Sequence, residues 1–382
     1  MKKILILANL DVGLYNFRRE LLEALIKASY EVHIALPQGE MISKLEELGC
    51  IFHETRLERR GMNPVHELKL IRRYKQIIRE VRPDVALTYT IKPNIYGGSA
   101  LAAAKVPYIT NITGLGTAVE GDGLLQKLTI RMYRYAMRGV SCLFFQNETN
   151  EAYFSAKKIA PGRHKRIPGS GVNLDRFVYQ EYPPEDESIS MLFISRVMRE
   201  KGIDEFMEMA QVIKKEYPQT EFHILGFCED DDNAPDSYRN RIRRLEEQGI
   251  LHFEGMQEDV KPFLKKSQCT VHPSFYPEGM SNVCLESAAS GRPVITTDRP
   301  GCRDTIEDGK TGLLIREQDS ADLIRAVRQF LGMPYEERKQ MGIRAREKME
   351  KEFDRKLVVN SYLDELDKIL AKKKLEEKNE SV

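Results

Sequence analysis

Two carboxylates bracket the stretch "PEGMSNVCLE", Glu278 and Glu286, eight positions apart around a glycine and a small polar pair. Ser281 or Asn282 is a good N-cap for a helix that Gly291 would close, just before Pro293. The first turn of such a helix has unpaired backbone N–H groups, and Gly279 leaves room for close approach to the backbone. The segment from Gly279 through Met280 and Ser281 to Asn282 therefore reads as a phosphate site. Glu278 stands at its mouth, and Glu286 about one and a half turns inside the helix. Carboxylates accept hydrogen bonds from hydroxyls and hold them in orientation. One can meet a sugar hydroxyl on one side of the phosphates, the other a ribose on the opposite side. A nucleotide diphosphate-sugar carries that arrangement of groups. The bland alternative makes Glu278 a turn residue and Glu286 a solvated helix position.

A second cluster weighs against the bland alternative. In "SRVMREKGID", Arg196 ends an apolar run and Lys201 precedes the next helical stretch. Both are cations suited to a diphosphate leaving group. Such a pair alone is ordinary surface charge; beside "PEGMSNVCLE" at a neighbouring strand end it becomes a diphosphate clamp.

The elements that must position these groups alternate along the chain. "KKILILANL" (2–10), "YEVHIAL" (30–36), "DVALTYT" (84–90) and "PYITNIT" (107–113) are short apolar runs with helical stretches between them. The pattern restarts after "IPGSGVNLDRF" (167–177), with "SMLFISR", "TEFHILG", "LHFEG", "CTVHPS" and "RPVITTD" as strands. Such alternation predicts βαβ units and parallel sheets. The expected fold class is α/β: two facing doubly wound Rossmann-like domains, 1–170 and 171–360, with a cleft between them and a linker near 168–180. Residues 361–382 read as a helix that fades into a charged tail, frayed beyond about Lys372. Ligands of such sheets sit outside the C-terminal strand ends.

With 382 residues, 41% hydrophobic and 31% charged, the chain fits a soluble globular protein of two domains. No run approaches the roughly 18 apolar residues of a membrane helix. The N-terminal apolar run is too short for a signal core, which spans about 7–15 residues, and reads as a buried strand. The six cysteines are scattered, so neither structural zinc nor a disulfide framework is expected, and cytosolic reduced thiols are the default. Charge is uneven: residues 1–170 hold 26 Lys+Arg against 16 Asp+Glu, and the rest 33 against 42. A basic half next to an acidic one points to a membrane or polyanion facing one domain.

Glu278 and Glu286, Arg196 and Lys201, and "GVNLDRF" together make the chain resemble the retaining GT-B glycosyltransferases of the large capsule, O-antigen and exopolysaccharide family. "GLYNFRRELLEAL", "TGLG" and "QNETN" resemble its branch that extends undecaprenyl-diphosphate-linked sugars with N-acetylgalactosamine. The resemblance implies that Glu278 faces the donor sugar and Glu286 the ribose. Arg196, Lys201 and the Gly279–Asn282 backbone hold the diphosphate, and Gly13 approaches it from the first domain. Gly226 and Met256 fall where the family lines the nucleobase pocket. Many relatives carry a histidine near the end of the fourth strand; here "YITNITGLGT" has none, and Thr113, Gly114 or Lys92 takes the sugar side. Asn16 is a further acceptor-side candidate. The implied donor is a UDP-sugar, with N-acetylhexosamine favoured, and the acceptor a lipid-linked glycan. No cofactor is expected; the acidic run at 229–232 is a weak metal motif, because the clamp already supplies positive charge. No nucleic-acid partner is implied.

"LLQKLTIRMYRYAMR" (124–138) sets Lys127, Arg131, Arg134 and Arg138 within about 60° on a helix. The other positions are mostly apolar: Leu124, Leu125, Leu128, Met132, Tyr133, Tyr135 and Met137. A basic stripe on an apolar helix suits an anionic membrane surface, which would hold the protein peripherally at the inner face of the cell membrane. A helix buried on most sides with a solvated basic edge fits as well, and the basic first half tips the balance to the membrane. Besides a transferase, a nucleotide-sugar epimerase of related fold and a non-catalytic nucleotide-sugar-binding partner fit this architecture. The paired glutamates weaken the first of these, and the intact clamp the second.

Overall fold

The structure, a computed structural model, describes residues 1–57, 64–115, 119, 123–185, 188–228, 234 and 236–380. From the N-terminus run β1 (Lys2–Leu7), α1 (Asp11–Lys27), β2 (Tyr30–Leu36), α2 (Ile42–Glu47) and β3 (Ile51–Glu54). Then come α3 (Pro64–Val81), β4 (Val85–Tyr89), α4 (Gly98–Ala103), β5 (Tyr108–Ile112) and α5 (Leu124–Ala136). β6 (Cys142–Phe145), α6 (Glu148–Ala156) and β7 (His164–Arg166) follow. The pattern restarts with β8 (Ile189–Ile194), α7 (Ile203–Glu216), β9 (Thr220–Leu225), α8 (Tyr238–Glu247) and β10 (His252–Gly255). Next are α9 (Lys261–Lys266), β11 (Cys269–His272), α10 (Asn282–Ala289), β12 (Val294–Thr297) and β13 (Gly312–Ile315). α11 (Ser320–Leu331), α12 (Tyr335–Lys348) and α13 (Arg355–Glu380) close the chain.

The strands form two sheets, ordered β3-β2-β1-β4-β5-β6-β7 and β10-β9-β8-β11-β12-β13, with every strand pair parallel. Each sheet begins with the third-second-first-fourth order of a doubly wound fold. Its switch point falls between β1 and β4 in one sheet and between β8 and β11 in the other. The apolar runs read from the sequence are these strands, their ends matching to within three residues. β3, β6, β7 and β13 are additional. Their segments are four residues or fewer, and only the neighbouring strand defines them.

Several helices begin at side chains able to satisfy the first backbone donors. Asn147 accepts from the Asn150 N–H at 2.8 Å, and Asp319 from that of Asp322 at 2.9 Å. In α3 the buried residues Leu70, Tyr74, Ile77, Ile78 and Val81 follow the 3.6-residue period, so this helix packs on the sheet as its spacing predicts.

The chain divides into two compact units, Met1–Gly171 with Arg355–Val382, and Val172–Asp354. The crossing between Gly171 and Val172 lies inside the linker read from the sequence. The C-terminal division differs from the expected one. Residues 355–360 leave the second unit, and 361–382 are no separate tail, because α13 is one helix through Glu380 that packs in the first unit. Val358, Tyr362, Leu366, Ile369 and Leu370 join a core with Ile4, Leu22 and Leu87. The Tyr362 ring meets Phe144 edge to face at 4.7 Å, and its hydroxyl accepts from Asn111 Nδ2. Arg355 anchors the start of the helix, reaching Glu20 at 2.8 Å and the Gly171 carbonyl at 3.2 Å. Burying a large side chain is worth about 1.5–3 kcal/mol, so five of them outweigh the helix's polar exterior.

Candidate active site

Lys201, Arg196 and Glu278 come together at the switch point of the second sheet, in the loops that follow β8 and β11. The turn after β8 closes at Gly202, whose φ is 77°. A Cβ there would stand 2.2 Å from the carbonyl oxygen of Pro273, so only glycine lets the two loops touch. The Phe275 N–H donates to the Glu200 carbonyl at 2.9 Å and ties them further. This contact delivers the buried Lys201 ammonium to Glu278, with which it forms a hydrogen-bonded ion pair. His272 Nε2, at the end of β11, lies 3.9 Å from the same carboxylate oxygen. Burial pushes the Glu278 pKa up, but Lys201, His272 and Arg196 together outweigh it and hold the carboxyl below its usual range. Glu278 is thus an ionised hydrogen-bond acceptor at neutral pH.

Tyr276 gathers the cations. Lys201 Nζ lies 4.8 Å and the Arg196 guanidinium 5.9 Å from its ring centre. The ring's negative face offsets part of the repulsion between two like charges held near one spot. Neither Tyr276 nor His272 was apparent from the sequence. An aromatic two residues before Glu278 was the available signal for the first, and there was none for the buried histidine.

Ser281 is the N-cap of α10, its hydroxyl accepting from the Cys284 N–H at 3.5 Å and lying 3.1 Å from His272 Nε2. The backbone differs from the expected phosphate cradle in one respect. The Ser281 N–H donates to the Gly301 carbonyl at 2.8 Å and is already committed. A Cβ on Gly301 would stand 2.8 Å from the Gly279 carbonyl, so the close approach to Gly279 is made by the protein's own turn. The Met280 side chain is buried in the core and leaves only its backbone to a ligand. Asn282 opens the helix, and Glu286 lies half-buried one turn further on.

Gly226 has a φ of 151°, and a Cβ there would collide with the Ser195 carbonyl at 1.8 Å. Its N–H donates to the Gly255 carbonyl at 2.8 Å, which joins the ends of β8, β9 and β10. Beside this junction Met256 is 73% exposed and Phe227 39% exposed. Both are apolar side chains open to solvent just past parallel strand ends. Phe227 is a third residue not apparent from the sequence. The acidic run 229–232 lies outside the described residues. Among the described residues no group of three or more His, Cys, Asp and Glu side chains is placed to hold a metal ion.

The remaining candidates belong to the first unit. Gly13 lies in the first turn of α1, and a Cβ there would meet nothing closer than Leu10 at 3.9 Å, so no steric demand for glycine exists. The Asn16 carbonyl accepts from Arg355 at 3.0 Å. Lys92 pairs with Glu67 at 2.5 Å, both largely buried, so its charge already has a structural partner. Thr113 and Gly114 follow β5, half-buried, with φ 145° at Gly114. Thr90, at the end of β4, takes a φ of 70°, an outlier for a β-branched residue and a form of strain that gathers at functional strand ends.

Two doubly wound parallel sheets in one chain, the second with two cations and an ionised carboxylate at its switch point, are an arrangement of the GT-B class of α/β fold. The chain carries two glycosyltransferase domains: residues 177–348 match "Glycosyl transferases group 1", and residues 3–147 match "Glycosyl transferase 4-like". It is 25% identical over 334 residues to the N,N'-diacetylbacillosaminyl-diphospho-undecaprenol alpha-1,3-N-acetylgalactosaminyltransferase of Campylobacter jejuni, covering 83% of this chain and 86% of that one. It is 23% identical over 350 residues to the putative glycosyltransferase EpsD of Bacillus subtilis, covering 87% and 88%. Among solved structures, a glycosyltransferase from Rickettsia africae matches with a TM-score of 0.78 at 18% identity, over 97% of this chain and 98% of that one. HepE of Anabaena in complex with UDP matches with a TM-score of 0.76 at 16% identity, over 96% and 100%.

Proposed function

We propose that this glycosyltransferase moves an N-acetylhexosamine from a UDP-sugar to a lipid-linked glycan, with retention of anomeric configuration and without a divalent cation. The observation that carries this reading is the buried Lys201–Glu278 pair, with Arg196 against the same tyrosine ring, at the switch point of the second sheet. In the Michaelis complex Arg196 and Lys201 stabilise the charge that develops on the departing diphosphate, a preorganised electrostatic role. Glu278, kept ionised, accepts from a donor-sugar hydroxyl, Glu286 takes the ribose, and the exposed Phe227 and Met256 side chains take the base. The donor class is supported by the UDP bound in HepE, and the acceptor class by the bacillosaminyl-diphospho-undecaprenol in the name of the Campylobacter relative.

The acceptor reading places the protein at a membrane surface, and α5 supports this. Thr129, Ile130, Tyr133 and Ala136 are its buried residues, so Tyr133 and, just beyond the helix, Met137 belong to the core and not to an apolar exterior. Leu124, Leu128 and Tyr135 are 86%, 52% and 57% exposed and lie within about 40° of one another. Exposed Lys127, Arg131 and Arg134 flank them on one side. An apolar strip with a basic border fits the inner, anionic face of a bilayer. No described helix is long and apolar enough to cross one.

The test is incubation with radiolabelled UDP- and GDP-sugars and membrane extract, with and without EDTA, following label into the lipid phase. Transfer from a UDP-N-acetylhexosamine that EDTA leaves unchanged is the expected result. Interconversion of the nucleotide-sugar without transfer would establish an epimerase instead.

A further inference from the structure

Away from the switch points, a cavity of about 780 Å³ opens in the first unit, beyond the C-terminal ends of β2 and β3 and against the first half of α3. It is of the size that small-molecule sites occupy, about 300–1,000 Å³. Among the described residues three cations line it, Arg56, Lys69 and Arg73, against one carboxylate, Glu54. Arg73 is oriented by its Nε–H, which donates to the Glu54 carbonyl at 2.9 Å. Thr55 supplies a separate observation. It is 1% exposed, it lines the cavity, and its hydroxyl has no hydrogen-bond partner among the described residues. A buried hydroxyl without a partner is destabilising, and a bound acceptor oxygen would recover that loss. Leu57 and Leu70 give the same cavity an apolar wall.

We infer that this cavity is a second anion site, one that takes a diphosphate group through Arg56, Lys69, Arg73 and the Thr55 hydroxyl. The cations supply the charge, Thr55 donates to a phosphoryl oxygen, and the apolar wall receives the first carbons of a chain attached to the diphosphate. Two sources share this chemistry: the diphosphate of a prenyl-linked acceptor, and a free diphosphate. The first rests on the acceptor reading above; the anion site itself does not.

The experiment is calorimetry on the full chain in saturating UDP, titrating inorganic pyrophosphate and then farnesyl diphosphate. The Arg56→Ala/Lys69→Ala double variant, both residues exposed, should bind pyrophosphate at least tenfold more weakly. Thr55→Val should lose affinity about threefold while Thr55→Ser keeps it, a difference that a purely structural threonine would not produce. Farnesyl diphosphate binding tighter than pyrophosphate assigns the site to a prenyl-linked ligand, and equal affinities assign it to a free diphosphate. Parental pyrophosphate affinity in the double variant overturns the proposal. Uptake of pyrophosphate through these residues by a chain that transfers no sugar would sink only the transferase reading. Transfer with no pyrophosphate binding in saturating UDP would sink only the cavity.

Discussion

Glu278 and Glu286 occupy different environments, and their loss should show differently. Glu286→Ala removes charge-assisted hydrogen bonds, each worth about 1.5–3 kcal/mol, from a nucleotide that ground and transition states share. UDP affinity measured by calorimetry should drop roughly ten- to a hundredfold. Glu278→Ala should leave UDP affinity nearly intact and depress turnover, because its partner is the sugar being transferred. Normal UDP binding and parental transfer in both variants would make the two carboxylates structural. The lowered pKa of Glu278 has a consequence for pH as well. A carboxyl depressed in the folded state contributes stability above its unfolded value, near 4.5, and loses it as pH falls through the folded one. Melting temperature should therefore decline more steeply on the acid side of 4.5 in the parent than in Glu278→Gln, which cannot titrate there. Superimposable acid limbs would contradict the pairing with Lys201.

Among the elements, the turn that joins β8 to α7 is the one on which the site depends. Gly202→Ala must push the β11 loop, with its Pro273 carbonyl, away from this turn, carrying Lys201 out of register with Glu278. Gly249 has a comparable φ of 70° but open space where a Cβ would go. Strain alone costs about 1 kcal/mol, so Gly249→Ala should lower the melting temperature slightly and leave UDP binding unchanged. Gly202→Ala should cost about 2–3 kcal/mol more and weaken UDP binding. Equal losses from the two substitutions in denaturant melts would show that the loop contact carries no weight.

For the whole molecule, the charge division read from the sequence sharpens when the units are drawn from the structure. The first unit, α13 included, holds 33 Lys+Arg against 22 Asp+Glu, and the second 26 against 36. Basic charge near an anionic leaflet is worth about 1 kcal/mol per residue and is screened by salt. Vesicles containing phosphatidylglycerol should sediment the protein at low ionic strength and release it progressively as salt rises. Lys127→Glu/Arg131→Glu should abolish sedimentation, and Leu124→Ser/Leu128→Ser should weaken it without changing its salt dependence. Binding to neutral vesicles as strong as to anionic ones would remove the basic stripe from the account.

Local pattern sufficed for much of this protein. Apolar runs of four to seven residues between helical stretches dictate parallel α/β units, and the glycines of 168–180 mark where one unit passes to the next. Ser281, Gly279 and the spaced glutamates announce a helix N-terminus with two carboxylates, because capping is a matter of adjacent residues. Neither glutamate has a basic neighbour in sequence, and the partner of Glu278, Lys201, stands 77 residues away. That pair exists only because β8 and β11 lie side by side and Gly202 lets their loops touch. The Ser281 N–H, spaced correctly for a phosphate, is taken by Gly301 from a turn that no local rule connects to it. Lys92 was legible as a cation, but its burial against Glu67 was not. Residues 361–382 read as a helix fading into a charged tail, and nothing local said that this helix would join the core of the first unit. Its apolar residues become decisive only once the core around Ile4 and Phe144 exists to receive them. Spacing along the chain determines which elements form and which residue types they carry. Which charges are already neutralised, and which side chains stay exposed, is decided by long-range packing.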